Sequence, residues 1–144
     1  MIIFDLFSNY ILAYNQTYGS HLFTTGAEVG LLTSNIIVQG DNQSAVSRFG
    51  GRILASQTLY ADGVSFGQIK LSGVYFYRMG QKDFSTPTDA RFPVSFISAG
   101  DMTNISYIKS CIFEESLSSA VGAFGTTGVL LENNIFYKTL GSGK

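Results

Sequence analysis

The sequence predicts an all-β protein, and specifically a right-handed parallel β-helix, from three observations. β-Branched and aromatic residues are dense along the chain, which favours strands over helices. No window carries a sustained apolar stripe at helical spacing. A short motif recurs four times, with a small polar residue at the same place in each copy. Repeated short strands of this kind are typical of a β-solenoid.

The four copies of the repeat predict the rungs of the solenoid. They read LLTSNIIV, IKLSGVYF, SYIKSCIF and VLLENNIF, and they align on Asn35, Gly73, Ser110 and Asn133. Mostly apolar residues stand two and four positions before this polar residue and one and three positions after it. Because side chains alternate between the faces of a strand, both sets share a face only if the chain turns at the polar residue. Asn, Gly and Ser suit such a corner.

The apolar positions of the repeat are expected to stack in columns inside the solenoid. The predicted inward residues are Leu31, Ile36, Val38, Ile69, Leu71, Val74, Phe76, Ile108, Cys111, Phe113, Val129, Leu131 and Phe136. Cys111 is then a buried, unreactive thiol. Asn134 shares its column and needs hydrogen bonds from a neighbouring turn, since an unpaired buried amide costs about 1–3 kcal/mol. An antiparallel sandwich is the competing architecture.

The spacing of the repeats locates two insertions. Ser110 and Asn133 are 23 residues apart, whereas the earlier corners are 38 and 37 residues apart. The extra residues are assigned to exposed loops at about 41–49 and 80–93, which are rich in polar and turn-forming residues.

The remaining segments complete the predicted rungs, which cover residues 26–144. Further strands are expected at residues 52–56, 64–71, 94–97 and 120–124. Residues 1–25 are expected to hold one or more leading strands, because their alternation suits a strand better than a signal peptide or a membrane span.

Composition excludes several classes of function. Nine basic and ten acidic residues give a net charge of −1, without the basic surface that nucleic acid requires. One cysteine, Cys111, and one histidine, His21, cannot form a structural zinc site or an intrachain disulfide. His21 by itself is more typical of a surface or structural histidine. No cofactor is expected, because the glycines of residues 122–128 lack the Gly-Lys-Ser/Thr of a phosphate loop.

Charged residues give two candidate sites, and neither has the pattern of an active site. The second predicted loop is a possible contact loop through Lys82, Asp83, Asp89 and Arg91. Charges on an exposed loop are more often solvated surface than catalytic. Glu114 and Glu115 are expected at a solvated strand end, pointing to opposite faces, whereas glycoside hydrolysis needs two facing carboxyl groups.

Three N-x-Ser/Thr sequons begin at Asn15, Asn42 and Asn104. Chance alone gives about 1.4 such sequons at this composition, so the excess is small. Asn42 is the best candidate for glycosylation because it lies in the first predicted loop. Asn104 is expected to lead directly into a strand.

Six blocks of the sequence resemble the parallel β-helix region of the fibrocystin and fibrocystin-L family. They are AEVGLLTSNIIVQGD, FGGRILAS, LSGVYFYRMGQK, DARFPVSF, SYIKSCIFEES and AVGAFGTTGVLLENNIFYKTLG, collinear over about residues 26–141. This region is shared with the hyaluronan-depolymerising transmembrane protein and the cell-migration-inducing hyaluronan-binding protein. The resemblance implies an extracellular segment of a large, membrane-anchored glycoprotein of the cell or ciliary surface. Its partners would be other domains of that ectodomain, and other surface proteins or glycans.

The resemblance also bears on catalysis. In the hyaluronan-depolymerising branch an Arg-Tyr-Pro block runs into a His-x-His pair, whereas here Arg91-Phe92-Pro93 leads to Ser95 and Ile97 at the histidine positions. Neither side chain transfers a proton near neutral pH. The resemblance therefore implies a non-catalytic structural or interaction segment. The alternative is a β-helix that binds polysaccharide or cleaves a glycan of the hyaluronan type.

Overall fold

The computed structural model describes residues 13–18, 20–26, 30–82 and 91–141 and divides the chain into two units after Leu31. In the first unit, strands β1 (Ala13–Tyr18) and β2 (His21–Gly26) pair as an antiparallel hairpin. The sequence assigned residues 1–25 to one or more leading strands, and that boundary stays a prediction.

The second unit carries the repeats. Its elements are β3 (Ile36–Gln39), α1 (Asn42–Ser47), β4 (Ile53–Tyr60), β5 (Gly63–Phe66), β6 (Lys70–Ser72), β7 (Val74–Tyr77), β8 (Val94–Asp101), β9 (Tyr107–Lys109), β10 (Ile112–Glu114), β11 (Val121–Thr127), β12 (Leu130–Glu132) and β13 (Ile135–Tyr137). Sheet 1 has the strand order β3-β7-β10-β13, sheet 2 has β5-β4-β8-β11, and sheet 3 has β6-β9-β12. The chain visits the three sheets in turn, which is the path of a β-solenoid.

Parallel pairing joins successive rungs. β3 lies parallel to β7, with Ile36 opposite Val74 and Val38 opposite Phe76. The other neighbours in the three sheets are also parallel, except β4 and β5. The first two copies of the repeat therefore do not form an antiparallel sandwich, and the mainly β, parallel architecture is confirmed.

The predicted corners lie between sheets 3 and 1. Gly73, Ser110 and Asn133 have φ angles of 65°, 49° and 53°, the left-handed region that small or amide residues tolerate. The Gly73 N–H donates to the Lys109 carbonyl at 3.0 Å, so the ladder between rungs continues through the corner. Asn35 is not among the residues with positive φ, and at this first copy only residues 36–39 form a strand.

The core runs along the inside of the rungs. Phe76, Phe96 and Phe113 are fully buried, and the Phe76 and Phe113 rings stack with their centroids 4.8 Å apart. Of the predicted inward residues, most are buried or pack against this core: Val38, Ile69, Leu71, Val74, Phe76, Ile108, Cys111, Phe113 and Val129. Phe96, on sheet 2, lay outside the repeat used to predict the core.

Four predicted inward residues are exposed instead, namely Leu31, Ile36, Leu131 and Phe136. Ile36 lies on β3 and Phe136 on β13, the two outer strands of sheet 1, while Leu131 lies on the outer strand of sheet 3. Each keeps its place in the column but has a rung on one side only among the described residues. Leu31 precedes the first strand of the solenoid. The three strand residues lie in register with the buried residues Val74, Phe113 and Ile108, as predicted, but burial also requires a rung on both sides.

The first insertion is a short helix rather than an irregular loop. Asp41 caps α1, accepting hydrogen bonds from the Ser44 N–H at 2.8 Å and the Ser44 hydroxyl at 2.9 Å. These bonds lower the pKa of the Asp41 carboxyl. Arg48 ends the helix in a left-handed conformation. The segment is exposed as expected, apart from Ser44.

The second insertion is described only at its ends. Residues 83–90, with Asp83 and Asp89, lie outside the described residues. Gly80, Gln81 and Pro93 are buried, whereas the sequence predicted exposure along the whole segment. The difference arises because the two ends pack against other rungs.

A β-hairpin of residues 57–66, here called the arm, was not predicted. β4 pairs with β8 only through residues 53–56, and its second half pairs antiparallel with β5. The predicted strand at residues 64–71 is therefore two strands, β5 and β6. Across the described ranges, no helix is long and apolar enough to cross a bilayer.

Candidate functional site

The described part of the predicted contact loop lies where the two insertions meet. The Gln81 N–H donates to the Arg91 carbonyl at 2.8 Å, and Arg91 Nη1 donates to Gln81 Oε1 at 3.1 Å. The Lys82 N–H donates to the Arg48 carbonyl, just after α1, at 3.0 Å. Lys82 and Arg91 are both half-buried, so the structure fixes the base of the loop.

Two glycines allow the insertions to approach each other. The Gly50 N–H donates to the Gly80 carbonyl, and the Gly80 N–H donates to the Gly51 carbonyl, both at 2.8 Å. A Cβ atom at Gly50 would overlap the Arg78 carbonyl oxygen. Gln81 Nε2 adds a bond to the Gly50 carbonyl at 3.2 Å. The sequence contained no local signal for this junction beyond the Gly50-Gly51 pair.

An open cleft of about 450 Å³ adjoins the junction. Its lining residues are Gln81, Lys82, Phe92, Leu117, Ser118, Ser119, Leu140 and Gly141. The ring of Phe92 lies against Gly122, where a Cβ atom would overlap it, and 5.9 Å from the Phe124 ring. The Ser118 hydroxyl donates to the Arg91 carbonyl at 3.1 Å. The cleft therefore offers apolar and hydrogen-bonding groups, and none of its described lining residues carries a carboxyl or imidazole group.

Glu114 and Glu115 belong to a second polar cluster, on the outer face of sheet 1. The Tyr75 hydroxyl donates to Glu114 Oε2 at 2.7 Å, and Arg78 Nε donates to Glu115 Oε2 at 3.1 Å. Lys138 Nζ lies 3.8 Å from Glu115 Oε1. Both carboxylates lie at the end of β10, as predicted, but they are paired and only partly exposed to solvent.

Electrostatics in this cluster favour a structural role. Glu115 has a left-handed backbone, with φ of 49°, and therefore does not follow the alternation of an extended strand. The hydrogen bond from Arg78 lowers the pKa of the Glu115 carboxyl. Burial and the neighbouring Glu114 raise the pKa of the Tyr75 hydroxyl. These directions favour a charged Glu115 and a protonated Tyr75 near neutral pH.

Comparison with known proteins identifies the family. The sequence model of the CEMIP beta-helix family matches residues 48–143, about two thirds of the chain. The chain belongs to the CEMIP beta-helix family.

Individual relatives extend this result. Fibrocystin-L of Mus musculus is 37% identical over 84% of the chain, and Fibrocystin-L of Homo sapiens is 35% identical over 84%. Cell surface hyaluronidase CEMIP2 of Homo sapiens is 28% identical over 80%. The chain spans only 3% of the length of Fibrocystin-L and 9% of CEMIP2. No solved structure matches the chain.

Ser95 and Ile97 occupy the positions at which the sequence analysis placed the His-x-His pair of the hyaluronan-depolymerising branch. In this CEMIP beta-helix chain they alternate with the buried core residues Val94 and Phe96 on β8, so they lie on the outer side of sheet 2. Ser95 is fully buried, with its hydroxyl 3.5 Å from the Phe92 carbonyl oxygen, and Ile97 is half-buried. A buried hydroxyl and an alkyl group stand at these positions.

Cys111 and Asn134 connect the rungs from inside. Cys111 is buried, and its burial raises the pKa of the thiol. The Cys111 N–H donates to Asn134 Oδ1 at 2.9 Å, while Asn134 Nδ2 donates to the Ile108 carbonyl at 2.7 Å. Asn134 is half-buried rather than fully buried, because it lies beside the outer strand β13. A structural role for both residues stays a prediction.

The sequons lie in different settings. Asn42 is exposed at the first position of α1, and Asn104 is exposed in a turn between β8 and β9, with φ of 59°. Asn104 therefore precedes the strand by a turn, contrary to the direct entry that the sequence suggested. Asn15 and His21 lie on β1 and β2, where only the backbone is described. Within the described ranges, no group of three His, Cys, Asp or Glu residues could hold a metal ion.

Proposed function

We propose that this chain is a non-catalytic structural and interaction segment of a large cell-surface glycoprotein ectodomain, built as a right-handed parallel β-helix. The observation that carries this proposal is the stacking of rungs through three parallel sheets around one continuous core. The right hand follows from the strong preference of strand–crossover–strand units for that hand. Such a stack acts as a stiff spacer that presents its insertions at fixed positions.

The contacts of the acidic side chains support a non-catalytic role. Glu114 and Glu115 are bonded to Tyr75 and Arg78, and the part of the cleft lining that the structure describes holds no carboxyl group. Glycoside hydrolysis needs two carboxyl groups with different protonation states facing one substrate. The rival proposal, a hyaluronan-type glycan-cleaving enzyme, is supported by the similarity to CEMIP2, whose name describes a cell surface hyaluronidase.

The surface location is supported by the same relative and by the exposure of Asn42 and Asn104. Residence on the cilium rests on the fibrocystin resemblance. The contact site is proposed at the base of the second insertion, around Lys82, Arg91 and the adjoining cleft. Its partners would be other domains of the ectodomain, surface proteins or glycans.

A degradation assay separates the two functions. Purified chain is incubated with hyaluronan and other glycans, with CEMIP2 as the active control, and product length is measured by size-exclusion chromatography. We expect unchanged polymer with this chain and shortened polymer with CEMIP2. Shortening that is lost in an Asp89→Asn variant would establish the enzymatic rival.

A localisation experiment tests the proposed surface location and glycosylation. The full-length protein carrying an epitope tag is expressed in epithelial cells and examined by surface biotinylation and glycosidase digestion. We expect a surface protein whose mass falls on digestion, with a smaller fall in Asn42→Gln and Asn104→Gln variants. A cytosolic protein without glycans contradicts the proposal.

Replacement of residues 83–90 by a short Gly-Ser linker then tests whether partner association depends on the second insertion.

A further inference from the structure

The arm projects from the solenoid with an uncovered apolar face. Cross-strand pairing places Leu59 opposite Val64 and Gln57 opposite Phe66, so these four side chains share one face. Leu59 is 73% exposed, and Val64 and Phe66 are about half exposed. Phe66 has a close neighbour outside the arm, since its ring lies near Gly100. A two-stranded hairpin is marginal by itself.

The outer edge of the arm is also unpaired. Among the described strands, β5 pairs only with β4. The Gly67 N–H donates to the Ser56 carbonyl at 2.8 Å, which makes Ser56 and Gly67 a hydrogen-bonded pair. Hydrogen-bonded and non-hydrogen-bonded pairs alternate along an antiparallel ladder. The N–H and C=O groups of Phe66 and Val64 therefore point outward, to the free edge.

This edge is complementary to itself. When two β5 strands lie antiparallel about a two-fold axis at Ser65, Val64 falls opposite the second copy's Phe66. Both residues direct their N–H and C=O groups to the edge, so two such pairs form four hydrogen bonds around the axis. The same register places Val64 and Phe66 side chains against each other on one face.

The charge distribution favours a second copy as the occupant. A two-fold axis brings identical residues close together, so any charge near the axis would meet its like. Residues 63–68 contain no charged residue and no proline. Free strand edges are usually protected by such residues against pairing. A different partner would not require this neutrality.

We propose that two copies of this chain associate through β5, pairing antiparallel about a two-fold axis at Ser65. Sheet 2 of each copy then joins into one eight-stranded sheet with the order β11-β8-β4-β5-β5-β4-β8-β11. Dimerisation through the arm goes beyond the proposed function and does not depend on it, since either a scaffold or an enzyme can dimerise.

The test adds a charge at the axis. Sedimentation velocity measures the dimer dissociation constant of wild type, Ser65→Lys and Thr58→Lys. Thr58 is the matched control, because it pairs with Ser65 on the same face but lies one strand away from the axis. We expect Ser65→Lys to weaken the dimer at least about tenfold and Thr58→Lys to change it less than about threefold. An equimolar mixture of Ser65→Lys and Ser65→Asp should restore a heterodimer.

A cysteine variant tests the register directly. Opposite residues of a non-hydrogen-bonded antiparallel pair have Cα atoms about 4.5 Å apart, within the range of a disulfide. Ser65→Cys should therefore form a disulfide-linked dimer on mild oxidation, and Thr58→Cys should not, while the native Cys111 is buried. Wild type that remains monomeric at about 100 μM overturns the proposal. Equal weakening by both lysines, or equal cross-linking of both cysteines, also overturns it.

Discussion

Phe113 and Phe136 occupy the same inward column, one rung apart, yet their surroundings differ. The Phe113 ring lies between Phe76, at 4.8 Å, and Phe136, at 5.4 Å, and is 0% exposed. Among the described residues, Phe136 has a stacked ring on one side only, and it is 49% exposed. The strand pattern therefore sets the direction of a side chain, and the neighbouring rungs set its burial.

Truncation of the two aromatic side chains should lower the stability of the protein by different amounts. We expect Phe113→Ala to lower the free energy of unfolding by about 3–5 kcal/mol, because it leaves a cavity closed on both sides. Phe136→Ala should cost about 1–2 kcal/mol, since about half of its apolar surface is already in water. Urea denaturation followed by circular dichroism measures both. Equal losses for the two variants would contradict the stacking account.

The amide that ties the last strand to the rung before it gives the next largest effect. Asn134→Ala removes the side-chain hydrogen bonds to the Cys111 N–H and the Ile108 carbonyl, and should cost about 1–3 kcal/mol. Asn133→Gly is the matched control, because glycine adopts the left-handed backbone found there. A control variant as unstable as Asn134→Ala would point to the corner backbone instead of the amide.

Two buried serines, Ser116 and Ser118, differ in their hydrogen bonding and should differ in their effect on stability. The Ser116 hydroxyl is buried and is the one buried side-chain oxygen or nitrogen without a hydrogen bond in the described part of the chain. Ser116→Ala should therefore raise the free energy of unfolding by about 1 kcal/mol. Ser118→Ala, which loses the bond to the Arg91 carbonyl, should lower it instead. A stabilised Ser118→Ala, or a destabilised Ser116→Ala, refutes this assignment, with thermal unfolding as the measurement.

The smallest effect concerns pH, through the link from Glu115 to Arg78 and Lys138. Because the pKa of Glu115 is lowered from 4.5, mainly by Arg78, its stabilisation is complete above that pH and is lost as the pH falls through the lowered value. Glu115→Gln should cost less than about 1 kcal/mol at neutral pH, since the pair is partly exposed. The difference in the free energy of unfolding between variant and wild type should disappear in acid. A difference that is constant from neutral pH to acid argues against the ion pair.

The sequence predicted the parts of the structure that depend on local pattern. The corners at Gly73, Ser110 and Asn133 and the buried column through Phe76 and Phe113 follow from strand alternation and backbone preference. The arm also has a local signal, since an Asp-Gly pair such as Asp62-Gly63 is typical of hairpin turns. The helix after Asp41 is too short for a periodic pattern.

Long-range contacts account for what could not be predicted. The exposure of Ile36 and Leu131 depends on which rungs lie beside them. The junction of the two insertions depends on hydrogen bonding between Gly50 and Gly80, which are 30 residues apart in the sequence. The pairing of Glu115 depends on Arg78, from the previous rung. None of these contacts leaves a periodic trace in the sequence.

The uneven spacing of the rungs also affects the order of folding. Stacking Phe136 on Phe113 closes a loop of 23 residues, whereas stacking Phe113 on Phe76 closes one of 37. The shorter closure costs about 0.4 kcal/mol less conformational entropy. We therefore expect β10 and β13 to associate early, with growth of the stack toward β3, so that the least covered strand belongs to the folding nucleus. Pulsed hydrogen exchange during refolding should show protection in β13 before β3, and the reverse order would exclude this route.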